Sequence, residues 1–170
     1  DRIKDADIVL TNKVYVGENE LKDSSVKLIC ITATGMNNVD LDYAKANNIE
    51  VKNVAGYSTS SVVQLGFSMI FYFVQKLNYY KNYVDEQNWQ KSDTFTHIDK
   101  PFFELDNKRV GIIGLGEIGR DFAKKAKAFN CEVVYYSTSG QNTNNEYKSV
   151  TLEQLLKTSD IISIHAPLNS

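Results

Sequence analysis

The sequence predicts an α/β fold built on parallel sheet, and three observations carry that expectation. Short β-branched runs alternate with helical runs through the first fifty residues, the rhythm of βαβ units. A strand pattern at residues 109–113 turns on glycines straight into a helical segment at 121–129. A second strand pattern follows at 131–136, where a parallel partner would fall.

Residues 7–10 read as a strand, 20–24 as a short helix, and 26–31 as a strand rich in β-branched side chains. Asp40 is placed to cap a helix carrying Leu41, Tyr43, Ala44 and Ala46, and 49–53 read as the next strand. Ser61 with Gln64 three residues on forms a capping box for a long helix. Apolar residues from Val62 to Val74 cover nearly every face of that helix, so it must be buried all round. Run on to residue 90 it measures roughly 45 Å. One small domain hardly covers such a length, so a domain seam and a subunit interface are expected there. Tyr79, Tyr80, Tyr83 and Trp89 continue it as an aromatic contact surface.

Residues 91–101 form a polar linker in which His97 reads as solvated. Residues 102–105, a turn at Asp106-Asn107 and residues 109–113 predict a hairpin. Residues 137–145 are loop and 147–150 a short strand. Thr151 and Gln154 make a second capping box, opening a helix to about residue 158, and 160–164 read as a buried strand ending at His165-Ala166-Pro167.

The chemistry concentrates in residues 109–120, which read Arg-Val-Gly-Ile-Ile-Gly-Leu-Gly-Glu-Ile-Gly-Arg. Gly114, Gly116 and Gly119 have the spacing G-x-G-x-x-G. In such a turn the first glycine permits the bend, the second lets a pyrophosphate approach the backbone, and the third lets helix and strand pack closely. The free N–H groups and positive dipole end of the helix then point at the anion. Glycine turns also serve packing alone, but strand before, helix after and a second strand on schedule favour dinucleotide binding. A dinucleotide fold has two mononucleotide halves, and after Gly114 this chain supplies one half and the first strand of the next. The expectation is a segment of a longer protein, cut at both ends.

Composition narrows the partners. Of 170 residues, 42% are hydrophobic and 24% charged, as in ordinary globular proteins. A net charge of −2 without a basic stripe argues against nucleic acid and membrane surfaces. The longest apolar run, 65–74, falls short of the roughly 20 residues that span a bilayer. Cys30 and Cys131 sit in separate strand patterns without metal-ligand spacing, so reduced thiols in a cytoplasmic protein and no metal site are expected.

Four blocks resemble the D-isomer-specific 2-hydroxyacid dehydrogenases, in their glycerate dehydrogenase and hydroxypyruvate reductase branch. They are residues 33–40 (Ala-Thr-Gly-Met-Asn-Asn-Val-Asp), residues 53–59 (Asn-Val-Ala-Gly-Tyr-Ser-Thr), the glycine turn, and residues 165–168 (His-Ala-Pro-Leu). Trp89, Ser92 and Phe95 resemble the spacer of that branch. The resemblance implies a partial flavodoxin-like substrate-binding domain at 1–54. It implies a partial, incomplete Rossmann-type NAD(P)-binding domain at 55–170, beginning with a long helix from Ser61 that joins a homodimer. The active cleft would lie between the domains. Backbone N–H groups of Thr34, Gly35 and Met36 would take the substrate carboxylate, with Thr34 also bordering the cofactor, NAD or NADP. Glu117 and Ile118 would approach the pyrophosphate through their backbone, beside Gly114, Gly116 and Gly119. Ala166 and Pro167 would pack near the adenosine.

Two departures stand out. Where the family commonly has an aspartate for the ribose hydroxyls, this chain has Ser137, followed by Thr138, Ser139 and Gly140. Glu132 stands at the wrong end of its strand to replace it. Without a carboxylate a 2′-phosphate is not repelled and the hydroxyls could bond one, but no arginine stands beside them in sequence to clamp it, so the choice between NAD and NADP stays open. The family's catalytic arginine, glutamate and histidine lie downstream of the block at His165, and none maps onto this chain. His165 reads as a hydrogen-bonded strand-end residue. The implied reaction is hydride transfer between NAD(P)H and a small 2-keto or 2-hydroxy acid, glycerate/hydroxypyruvate or glyoxylate being favoured. The 170 residues alone are expected to be catalytically dead. The rival reading is a non-catalytic NAD(P)-sensing module resembling the corepressors of this fold.

Overall fold

The computed structural model describes residues 2–166 and divides the chain into two compact α/β units, residues 1–58 and 59–170. In the first, strands β1 (Ile8–Thr11), β2 (Leu28–Ile31) and β3 (Glu50–Asn53) pair in parallel in that order. Helix α1 (Glu18–Leu21) begins before the expected residue 20, and α2 (Leu41–Ala46) links β2 to β3. Asp40 caps α2 as expected, its Oδ1 accepting from the Tyr43 N–H at 2.9 Å. Ile29, Ile31 and Ala44 are sealed in the core of this unit.

The second unit opens with α3 (Thr59–Val74) and α4 (Leu77–Asp85). A single 3-10 turn at Trp89–Lys91 follows. The single 45 Å helix does not form. The chain breaks at Lys76, which adopts the left-handed conformation (φ 53°). That conformation ends helices at positions where glycine is usual. Neither glycine nor proline marks this site, so the sequence carried no local signal of the break. The helix also starts at Thr59, which places Ser61 inside its first turn instead of at a cap.

Nor is α3 buried all round. Val63, Phe67 and Val74 face the core, while Leu65, Met69 and Phe73 are 61%, 53% and 67% exposed. The rings of α4 are covered partly by the chain's own linker. His97, expected to be solvated, stacks on Tyr83 at 3.8 Å, with its Nε2 2.8 Å from the Tyr79 hydroxyl. The Tyr80 hydroxyl donates to the Lys100 carbonyl, so α4 holds the linker at two points.

The second sheet runs β6-β5-β4-β7, every pairing parallel. Its strands are β4 (Arg109–Ile113), β5 (Glu132–Tyr136), β6 (Lys148–Ser149) and β7 (Ile161–Ile164). The expected hairpin is absent because β5 and β7 occupy both edges of β4, leaving no edge for residues 102–105. Asn107, with φ 60°, turns the chain into β4 instead, and Leu105 enters the core.

Helices α5 (Glu117–Ala128) and α6 (Leu152–Thr158) cover opposite faces of the sheet. Ile112 meets α5 at Gly119, whereas its neighbour Gly111 lies under Leu155 of α6. The Thr151 capping box forms as expected, Thr151 Oγ1 accepting from Gln154 N–H and Gln154 Oε1 from Thr151 N–H. Strand β7 is only half buried. Ile161 packs on the core, while Ile164 is 69% exposed on the other face. No described helix is long and apolar enough to cross a membrane.

Phe122 of α5 is the centre of this packing. It stacks on Phe67 of α3 (centroids 4.6 Å apart) and lies 1% exposed beneath it. Phe122→Ala should cost about 3–5 kcal/mol, read as a lower urea midpoint for the second unit. A second outcome concerns His165, just past β7, whose ring packs near Phe122 and whose Nε2 lies 2.9 Å from Ser163 Oγ. Burial pushes its imidazole below the ordinary value. The unfolded chain therefore takes up a proton that the folded chain resists. Stability is held above the ordinary imidazole pKa of about 6.5 and declines as the pH falls below it. His165→Gln should flatten that decline in urea midpoints measured from roughly pH 7 to 5.

Candidate functional site

At the carboxyl end of β4 the chain bends at Gly114, whose φ of +91° suits glycine. Both neighbouring strands hold the bend. Gly114 N–H donates to the Tyr136 carbonyl at 2.9 Å, and His165 N–H to the Ile113 carbonyl at 2.8 Å. A Cβ at Gly114 would lie 2.8 Å from the backbone nitrogen of Ala166. One at Gly119 would lie 2.3 Å from the Gly114 carbonyl oxygen, so this glycine lets α5 start directly on the strand end.

Gly116 differs from both. It precedes α5, and a Cβ there would meet nothing within 4 Å. The space in front of it is open. Among the described residues the N–H groups of Leu115, Gly116, Glu117 and Ile118 make no hydrogen bond. A helix start leaves such donors unmet, and its dipole adds partial positive charge at the same point. Open volume and four free amides at the carboxyl edge of a parallel sheet fit a pyrophosphate. The Glu117 carboxylate is turned aside, accepting from Thr59 Oγ1 at 2.8 Å. Ile118 packs against the core, which leaves only its amide for a ligand. Ala166 abuts the turn, and Pro167 lies outside the described residues.

At the end of the neighbouring strand, β5, stands Ser137, its Oγ buried without a hydrogen-bond partner. Thr138 and Ser139 follow, both exposed, and the loop turns at Gly140 (φ +69°). Sequence order separates every arginine from this loop. The fold does not: Arg120, in the first turn of α5, reaches Thr143 O at 3.4 Å and Asn142 Oδ1 at 3.5 Å. Adjacent parallel strands bring the start of α5 and the loop after β5 to one end of the sheet. At the opposite end Glu132 is occupied by Arg109, 2.8 Å away, as its place in the strand implied.

The first unit carries a separate turn after β2. Asn53 Nδ2 donates to the Thr34 carbonyl at 2.6 Å, and Thr34 Oγ1 to the Val54 carbonyl at 3.2 Å. The end of β3 thereby holds the loop in shape. Thr34 and Gly35 are exposed, Met36 packs on the core, and the N–H groups of all three make no hydrogen bond among the described residues. Successive free amides in a turn form a concavity suited to an anion such as a carboxylate. No metal-binding cluster of His, Cys, Asp or Glu occurs among the described residues.

Similarity to known proteins agrees with this geometry. The model of the D-isomer specific 2-hydroxyacid dehydrogenase NAD binding domain matches residues 67–170. A hydroxypyruvate reductase of Blautia hydrogenotrophica is 36% identical over 172 residues, covering 98% of this chain and 53% of that protein. D-lactate dehydrogenase from Aquifex aeolicus, complexed with NAD and lactic acid, superposes with a TM-score of 0.82 at 28% identity, covering 99% of this chain and 50% of that one. An acyclic imino acid reductase in complex with NADPH and D-arginine gives a TM-score of 0.79 at 28% identity, over 99% of this chain and 53% of that one. The chain spans about half the length of the curated relatives it matches. With the matched residues making up more than half of its length, the chain belongs to the D-isomer specific 2-hydroxyacid dehydrogenase family.

Proposed function

We propose that the whole protein is an NAD(P)-dependent oxidoreductase acting on a small 2-keto or 2-hydroxy acid. The observation that carries the reading is the open bend at Gly116 with its unmet amides. Hydroxypyruvate or glyoxylate is the favoured substrate, supported by the hydroxypyruvate reductase that this chain resembles. Residues 1–54 are assigned to substrate binding and residues 55–170 to the nucleotide.

In this reading Leu115 to Ile118 hold the pyrophosphate through backbone N–H groups, and Gly114 and Gly119 keep strand and helix close enough to aim them. Ser137 meets the adenosine ribose, with Ala166 and Pro167 beside the adenine end. Thr34, Gly35 and Met36 take the substrate carboxylate, and Thr34 also borders the cofactor. Held in one place by free amides, an anionic substrate loses the freedom that otherwise keeps it from reacting. The nicotinamide supplies the hydride chemistry, and the protein supplies position and electrostatics. No residue of this chain is assigned to proton transfer.

The exposed stripe of Leu65, Met69 and Phe73 on α3 supports a homodimer through that helix. Two free cysteines and a net charge of −2 agree with a cytoplasmic protein that binds neither nucleic acid nor membrane.

The direct test follows NADH absorbance with the full-length protein and hydroxypyruvate, glyoxylate or pyruvate in turn. Consumption with at least one is expected. Nucleotide binding without turnover of any 2-keto acid would move the reading to the NAD(P)-sensing module. A substitution tests the bend itself. Since a Cβ at Gly116 meets no protein atom, Gly116→Ala should change stability by less than about 1 kcal/mol. The same methyl should weaken dinucleotide binding about tenfold or more, measured by calorimetric titration.

A further inference from the structure

We propose that the loop after β5 is a seat for a 2′-phosphate and that the protein prefers NADPH to NADH, with Arg120 and Ser137 setting the preference. The inference rests on the dehydrogenase reading above and adds the form of the cofactor.

Three observations carry it. First, the strand end offers no carboxylate. A carboxylate there accepts from both ribose hydroxyls and repels a phosphate on one of them. Residues 137–145 read Ser-Thr-Ser-Gly-Gln-Asn-Thr-Asn-Asn, without an acidic group, and Glu132 is engaged with Arg109 at the far end of the strand.

Second, the hydroxyl placed at that end has no partner. Ser137 Oγ is buried and unpaired, in a residue that is itself only half buried. Serine has three staggered χ1 wells, and an unmet hydroxyl is a donor that a phosphate oxygen at this strand end would satisfy. Thr138 and Ser139 add two exposed hydroxyls, and Gly140 turns the chain where a Cβ would meet no atom within 4 Å.

Third, a cation stands where the sequence order showed none. Arg120 is exposed, and its guanidinium rests on the Thr143 carbonyl and the Asn142 amide through contacts of 3.4 and 3.5 Å, both at the long limit for hydrogen bonds. Both partners are neutral acceptors. A phosphate is a far stronger one, and the planar fork of arginine matches two of its oxygens. The dinucleotide bend lies at the start of the same helix, so one element presents amides to the pyrophosphate and a guanidinium to the loop.

Calorimetric titration of the full-length protein with NADPH, NADH, 2′,5′-ADP and 5′-ADP tests this without reference to turnover. NADPH should bind about tenfold or more tightly than NADH, and 2′,5′-ADP should exceed 5′-ADP by a similar factor. Arg120→Gln should lower the NADPH to NADH affinity ratio about tenfold, and Ser137→Asp should reverse the preference. Because Arg120 is solvent-exposed, its variant reports on the contact even if Ser137→Asp fails to fold. NADH binding as tightly as NADPH overturns this inference and leaves the dehydrogenase reading intact. An unchanged ratio in Arg120→Gln likewise overturns the seat. Binding of neither nucleotide overturns both readings together.

Discussion

Strand β4 has a parallel partner on each side, and the second unit is organised by that arrangement. With β5 and β7 both hydrogen-bonded to it, the bend at its carboxyl end is gripped by Tyr136 on one flank and His165 on the other. A bend held by two strands cannot relax to satisfy its own amides. The donors of Leu115 to Ile118 are left free by the helix start, the sheet fixes where they point, and the open volume before Gly116 keeps them accessible. Gly119 belongs to the same constraint, since its missing side chain sets how close α5 can come. Phe122, one turn further along, converts that closeness into burial by stacking on Phe67.

The two units use one physical device. Each has a turn after a parallel strand whose backbone donors are left unpaired by local geometry: Thr34 to Met36 in the first, Leu115 to Ile118 in the second. Both turns are stiffened from a neighbouring strand end, by Asn53 in one and by Tyr136 in the other. Donors fixed before a ligand arrives need no reorganisation when it binds, which is how backbone groups come to recognise anions without a charged side chain. The sequence around these turns spends its specificity on shape.

Where the chain departs from expectation, the departures share a cause. Burial was inferred for α3 and for β7 from apolar composition, yet composition states only that a face prefers cover. Leu65, Met69, Phe73 and Ile164 each stay more than half exposed among the described residues. The linker shows the converse. His97 sits in a polar stretch, but the rings of Tyr79 and Tyr83 give it a flat surface and a hydroxyl to bind. A polar neighbourhood in sequence says little about the neighbourhood in space.

Local chemistry made much of this protein legible from its residues alone. The Asp40 and Thr151 caps, the strands at 109–113 and 131–136 and the glycine bend that carries β4 into α5 are short-range signals, and those structures are present. Tertiary structure decided what depends on non-local pairing. Residues 102–105 formed no hairpin because β4 had no free edge, and the helix broke at Lys76 without a breaker residue. Arg120 and its contacts Asn142 and Thr143 in the loop after Ser137 are more than twenty positions apart along the chain, and parallel pairing of β4 with β5 brings them together. Sequence encodes the preference of each short segment; which segments meet is set by the hydrogen-bonded register of the sheet and the packing of helices upon it.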